Sequence, residues 1–289
     1  VRTSVIAEAV AQAPTTPGVY FLLDGKGELL YVGKATNLRR RLAAYTKDPS
    51  VIEHRRTSRL VTLVREVRFE QHADAEAALV READLIAAFA PRFNASLIKA
   101  EPYPFLVVHV DAAEGRARFE ITPSATPLAP TRAVKTYGAF AHLGKGGVSY
   151  PATRSNAGYS ALLRLLWGCG PDGERKAIPE RLRGTSPPHD HTCAFDPTFA
   201  KPLHDLLSGR SARLIDQLAS VLATTQLDAP QRRALERDVE PTRLFYRLGP
   251  VALAQRRRAH GLDAAPVTRE TLDALLAVEV NATIGLVVR

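Results

Sequence analysis

The sequence predicts an α+β protein whose front part is a small three-stranded antiparallel sheet with surrounding helices. Behind it follows a C-terminal region that contains a β-hairpin and is mostly helical. Three observations carry this prediction. Two apolar runs at 19–23 and 29–32 flank Asp24-Gly25-Lys26-Gly27, and glycine-rich turn chemistry between strand-like runs signals a hairpin. Helical spacing of apolar residues recurs on both sides of that hairpin. Beyond residue 105 the pattern turns first to strands and then, from about 157, to helices.

In chain order, residues 3–12 carry a short amphipathic helix that ends before Pro14 and Pro17. The hairpin comes next. Asn37 can cap a helix through about Tyr45, and a second helical stretch covers 53–64. A third strand at 67–71 leads into a helix from about Asp74 to Phe89, stopped by Pro91. The first domain is thus expected over 1–98 and the second over 99–289. In the second, 105–110 and 117–121 read as a hairpin and 122–133 as a loop. Residues 157–167 are helical, 168–198 irregular, and helices at 203–223, 229–248 and 271–280 follow.

The chain has 289 residues, 45% of them hydrophobic and 24% charged, which is ordinary for a folded globular protein. Its net charge of +9 suits a polyanionic partner. Cys169 and Cys193 are too few for a disulfide framework and fit a reducing compartment. No signal peptide pattern opens the chain and no apolar stretch approaches a membrane span, so a cytoplasmic protein without a membrane partner is expected. Methionine is absent, even at position 1, which fits a fragment, an alternative start, or the rear of a longer polypeptide.

A four-residue turn at 24–27 pairs Leu23 with Glu28, and the same register sets Tyr20 directly across from Tyr31. Such partners lie within about 5.5 Å at Cβ, so two phenols share one patch. On the next helix Leu38, Leu42 and Tyr45 mark an apolar stripe that contains Arg41, either buried or snorkelling at the rim, whereas Arg39 and Arg40 can face solvent. On the helix at 74–89, Leu79, Ala83 and Ile86 form the inward face, and Glu82 lies within it. A carboxylate there needs a cation, which is either Arg41 in a structural salt bridge or a metal ion. Mg²⁺ takes only one or two protein carboxylates and completes its shell with water and phosphate oxygens. Between Lys34 and Arg68 there are ten Lys and Arg, Lys47, Arg55, Arg56 and Arg59 among them, against three acids. A stripe of this kind neutralises phosphates, although a charge run also serves as a solvated face.

These residues, read in order, resemble a known family. Pro17-Gly18-Val19-Tyr20, Tyr31-Val32-Gly33-Lys34-Ala35, Leu38 to Tyr45, Glu76 to Glu82, and Pro91-Arg92-Phe93-Asn94 look like the GIY-YIG nuclease domain. The version is that of the bacterial UvrC excinucleases, continuing through Tyr103-Pro104-Phe105 and thinly at Tyr137-Gly138 and Leu207-Ser208-Gly209-Arg210. The resemblance implies a DNA endonuclease of nucleotide excision repair, with Tyr31 as general base, Tyr20 beside it, and Glu82 holding one Mg²⁺ or Mn²⁺. It implies that Lys34 and Arg41 meet phosphate or the activated water, and that Tyr45 and Asn94 are supporting polar positions of the catalytic set. On this reading Lys34, Arg41 and the metal lower the pKa of the base. DNA contacts are expected from Lys34, Arg39, Arg40, Lys47, Arg55, Arg56 and Arg59, a UvrB-type helicase is the expected partner, and no small-molecule cofactor is expected.

The chain stops short of the second nuclease and the helix-hairpin-helix repeats of full-length UvrC. In that respect it resembles the short homologues of the Cho type, which incise only on the 3′ side; related modules also follow a proofreading-type exonuclease. UvrC's middle region carries a four-cysteine cluster, where this chain offers only Cys169, Cys193, His189 and His191 as zinc-type ligands. The stretch 231–248 resembles the UvrB-docking hairpin weakly and reads equally as a structural cap. Two other classes stand beside the repair enzyme: a structure-specific or restriction-type nuclease independent of UvrA and UvrB, and a non-catalytic binding module.

Overall fold

The computed structural model describes residues 2–46, 55–89, 91–97, 104–123, 134–140, 150–171, 177–262, 266–268, 270–272, 274–275 and 278. The chain forms two compact units, Val1–Ala100 with Asp273–Arg289, and Glu101–Leu272.

The first unit contains α1 (Arg2–Gln12), β1 (Gly18–Leu23), β2 (Leu29–Ala35), α2 (Leu38–Ala43), α3 (Arg55–Leu63), β3 (Glu66–Gln71) and α4 (Ala75–Phe89). A 3-10 turn at Ala44–Thr46 extends α2, and another at Arg92–Leu97 follows α4. The strands form an antiparallel sheet in the order β2-β1-β3. Central β1 is buried along its whole length because both sheet faces are covered. Tyr20 and Leu22 face a core with Ile6, Leu38, Leu42, Tyr45 and Leu60. Val19, Phe21 and Leu23, with Val32, face Ala78, Leu85 and Ile86 of α4. Each such Val, Leu, Ile or Phe side chain contributes about 1.5–3 kcal/mol of burial. Side-chain caps start the helices where the sequence places them: Asn37 Oδ1 accepts the Arg40 N–H at 2.9 Å, and Asp74 Oδ1 accepts those of Glu76 and Ala77 at 2.9 and 2.7 Å.

The hairpin register differs from the expected one. Leu23 pairs with Leu29, Leu22 with Tyr31, and Tyr20 with Gly33, because a bulge between Leu22 and Leu23 leaves Leu30 as an extra residue on β2. The turn closes one step earlier than expected, with the Asp24 N–H on the Glu28 carbonyl. Tyr20 and Tyr31 are therefore diagonal neighbours, not direct partners. On α4, Ala78, Leu79, Leu85 and Ile86 are buried and so is Asp84, while the side chain of Ala83 lies outside the described residues.

The second unit holds a four-stranded antiparallel sheet in the order β6-β4-β5-β7: β4 (Phe105–Asp111), β5 (Arg116–Thr122), β6 (Val134–Tyr137) and β7 (Asp190–Ala194). Helices α5 (Tyr150–Cys169), α6 (Ala200–Leu207), α7 (Arg213–Thr224), α8 (Ala229–Tyr246) and α9 (Ala252–Ala259) accompany it, with a π turn at Arg247–Val251 between the last two. The expected hairpin at 105–121 is thus the centre of a larger sheet. Strand β7 falls inside 168–198, expected to be irregular, because its inward positions are His191 and Cys193 and not aliphatic residues. The single helix expected over 203–223 is two helices. Gly209 breaks it with φ +69°, and a Cβ there would stand 2.2 Å from the Pro250 carbonyl oxygen, so only glycine fits. Of the helix expected at 271–280, residues 271, 272, 274, 275 and 278 are described and are helical, and the others lie outside the described residues. Among the described residues no helix is long and apolar enough to cross a membrane.

Candidate active site

The site forms where β1, β2, α2 and α4 meet. Tyr20 is fully buried, and its ring lies over Gly33, where a Cβ would come within 2.3 Å of the Tyr20 hydroxyl. The glycine opposite Tyr20 leaves the space that this ring fills. The Tyr20 hydroxyl lies 2.8 Å from that of Tyr45 and accepts from Arg41 Nε at 3.1 Å. Ring centroids of Tyr20 lie 6.0 Å from Tyr31 and 5.9 Å from Tyr45, and the Arg41 guanidinium sits 5.6 Å from the Tyr45 ring centre. Three phenols and one guanidinium therefore share a cluster despite the shifted register. Arg41 is exposed as a residue and turns only its head inward, so it stands at the rim rather than within the apolar stripe. Among the three phenols, Tyr31 is half-buried while Tyr20 and Tyr45 are buried.

The outer edge of β2 carries the rest. Asn94 is buried, accepts the Val32 N–H and donates to the Val32 carbonyl, each at 2.9 Å. Its amide is thus spent on the backbone beside Tyr31, which makes it a clamp on the strand. Two residues further along β2, Glu82 Oε1 accepts the Lys34 N–H at 2.8 Å. Among the described residues no ion pair joins Glu82 to Arg41, so the structural salt bridge that the sequence leaves open does not form. Glu82 is half-buried, and one of its two carboxylate oxygens accepts this backbone N–H. Among the described residues no group of three His, Cys, Asp or Glu converges as a metal cage. A single carboxylate is nevertheless the donor set that Mg²⁺ accepts when water and phosphate complete its shell, so these residues fit a divalent ion.

Electrostatics follow from burial. Tyr20 is raised well above the usual phenol range by burial, then by Tyr45 and Tyr31. Tyr31 is raised by burial, then by Tyr45 and Glu82, with Arg41 and the Tyr20 hydroxyl pulling the other way. The lowering of Tyr31 expected from Lys34 and Arg41 is therefore outweighed within the protein's own groups. Burial likewise raises the Glu82 carboxyl against the pull of the Lys34 N–H, the Lys34 charge and Arg41.

Among the expected DNA contacts, Arg39, Arg40 and Arg59 are exposed, and Arg39 also donates from Nε to the Ala13 carbonyl at 2.8 Å. Lys47 and the side chains of Arg55 and Arg56 lie outside the described residues. The zinc-type ligands do not converge. His189 is exposed and His191 is buried, while Cys169 Sγ donates to the Leu218 carbonyl at 3.3 Å. Sequence reasoning missed Gly33, Asp84, Glu70 and Arg81; only the alternation of charge along Glu66, Arg68 and Glu70 hinted that one face of β3 is polar.

Comparison with known proteins finds relatives of the first unit. Residues 16–95 match the model of the UvrC-like GIY-YIG domain. The relatives are more particular: the chain is 39% identical over 111 residues to UvrABC system protein C of Rhodopseudomonas palustris, which covers 38% of this chain and 16% of that protein. It is 37% identical over 139 residues to UvrABC system protein C of Corynebacterium diphtheriae, covering 48% of this chain and 19% of that one. The matched region thus spans under a fifth of the length of these relatives. The GIY-YIG N-terminal endonuclease domain of UvrC from Thermotoga maritima, bound to its catalytic magnesium, aligns at 29% identity over 31% of this chain and 94% of that one, with a TM-score of 0.28.

Proposed function

We propose that the chain is a metal-dependent DNA endonuclease of nucleotide excision repair that incises one strand on the 3′ side of a lesion, as a Cho-type enzyme does. The observation that carries this reading is the convergence of Tyr31, Arg41 and the Glu82 carboxylate around the edge of β2, with Tyr20 and Tyr45 behind them. The nuclease domain spans 1–98, and 99–289 is its UvrC-middle-like companion.

Tyr31, the most accessible phenol, holds the attacking water at its phenolic oxygen and receives its proton there. Tyr20 and Tyr45 fix the position of Arg41, whose guanidinium faces the scissile phosphate, and Lys34 adds a second positive charge beside Glu82. Glu82 would hold one Mg²⁺ or Mn²⁺, which would supply positive charge beside the scissile phosphate. Arg39, Arg40, Lys47, Arg55, Arg56 and Arg59 bind flanking phosphates. The enzyme works in the cytoplasm, on DNA prepared by a UvrB-type partner.

Mapping the cut on a duplex with one defined lesion, with and without UvrA and UvrB, tests this reading. A single metal-dependent nick on the 3′ side that requires UvrB is expected. Equal cutting of undamaged or flap DNA without those proteins would instead make it an independent structure-specific nuclease, and binding without any Mn²⁺-dependent product would make it a binding module.

A further inference from the structure

On the sheet face covered by α4, three residues stand side by side across the strands: Lys34 in β2, Val19 in β1 and Glu70 in β3. Two consecutive residues of α4 reach the two ends of this row. Glu82 takes the Lys34 N–H at one edge, and Arg81 Nε donates to Glu70 Oε1 at 2.7 Å at the other. Neighbouring helix positions point about 100° apart, so the two side chains straddle the line of contact between α4 and Val19. A roll of α4 about its axis breaks at least one of the two contacts.

The Arg81–Glu70 pair is largely withdrawn from water, each side chain being 13% exposed, and His72 Nε2 lies 3.1 Å from the same Glu70 oxygen. Burial alone would raise the Glu70 carboxyl, yet the hydrogen bonds from His72 and Arg81 hold it below its usual value. An ion pair desolvated to this degree adds little stability over an apolar pair of the same volume. What it adds is direction, because Arg81 reaches Glu70 only at one rotation of the helix.

We propose that Arg81 and Glu70 are positioning residues that set the rotation of α4 and thereby hold the Glu82 carboxylate at the divalent-cation site. This inference rests on the reading of Glu82 as the metal ligand. A residue that orients a metal ligand from behind changes metal affinity by about 10–100-fold when removed.

The test is Mn²⁺ binding to the intact chain, followed by the electron paramagnetic resonance of free Mn²⁺, alongside thermal melting. Arg81→Met and Glu70→Gln are each expected to weaken Mn²⁺ binding about tenfold. The double variant is expected to be no weaker than the poorer single one, because the two side chains act as one unit. Arg81→Lys should recover part of the loss, and it carries the comparison if Arg81→Met does not fold. Mn²⁺ affinity unchanged in Glu70→Gln, and in Arg81→Met where it folds, while Glu82→Gln abolishes binding, overturns the inference alone. Wild-type binding by Glu82→Gln overturns the metal reading and this inference with it.

Discussion

Tyr31 is the residue on which the proposed chemistry turns, and its environment predicts how the rate responds to pH. Burial, Tyr45 and Glu82 raise its pKa, so at neutral pH the phenolic oxygen is protonated and only a small fraction is free to take a proton. That fraction grows about tenfold per pH unit below the pKa. The nicking rate in excess Mg²⁺ should therefore climb steeply between about pH 7 and 9, and Tyr31→Phe should remove both the slope and about 10²–10⁴ of the rate. A flat profile in the parent protein would count against Tyr31 as the base. Glu82 gives a second test of opposite kind. Its raised carboxyl pKa means that the folded state binds the proton more tightly than the unfolded one, so stability falls as pH rises from the ordinary carboxylate range through the raised value. Glu82→Gln, which keeps an oxygen for the Lys34 N–H, should raise the metal-free melting temperature at pH 7 and lose any rise on adding Mn²⁺. Calorimetry with and without Mn²⁺ checks both.

At the scale of the element, β2 is an edge strand whose outer groups need partners, and Asn94 and Glu82 supply them. Asn94→Ala leaves the Val32 N–H and carbonyl without those bonds, at about 1–3 kcal/mol for each buried group left unmade. Faster amide hydrogen exchange confined to β2 and a lower denaturant midpoint are expected, together with loss of activity. The contact between β1 and β2 is equally narrow at Gly33. A methyl group there collides with the Tyr20 hydroxyl, which Tyr45 and Arg41 hold in place. Gly33→Ala should therefore destabilise the unit by about 1–3 kcal/mol, read by urea unfolding, and displace Tyr20 from the cluster.

For the whole molecule the controlling quantity is charge. The net +9 includes ten Lys and Arg against three acids between residues 34 and 68, but these cations are not equivalent. Arg39, Arg40, Arg59 and Arg65 are all exposed, but Arg39 is also tied to the Ala13 carbonyl and Arg65 to the carbonyls of Thr62 and Val64, and Arg68 pairs with Glu66. DNA affinity should fall with salt on a log–log line, and Arg40→Ala with Arg59→Ala should flatten its slope by about 2, near 0.9 for each phosphate no longer neutralised. Arg65→Ala should leave the slope alone and lower stability instead. Fluorescence anisotropy across a salt series separates these outcomes.

Local chemistry is readable from the residue order alone. The turn at Asp24-Gly25-Lys26-Gly27, the caps Asn37 and Asp74, the three strands of the first sheet, and the candidates Tyr20, Tyr31, Arg41 and Glu82 all rest on interactions within a few residues. Features that depend on distant partners are not readable in that way. The turn shifts the pairing by one residue and the bulge at Leu30, itself a core residue, by one more, so that Gly33, not Tyr31, faces Tyr20. Strand β7 hides behind inward His191 and Cys193, which carry no aliphatic alternation. Glu82 is recognisable as an anomaly on its helix, but the choice between an Arg41 salt bridge and a cation ligand depends on where α4 crosses the edge of β2. There the Lys34 N–H, 48 residues away in sequence, and not Arg41, takes a Glu82 oxygen.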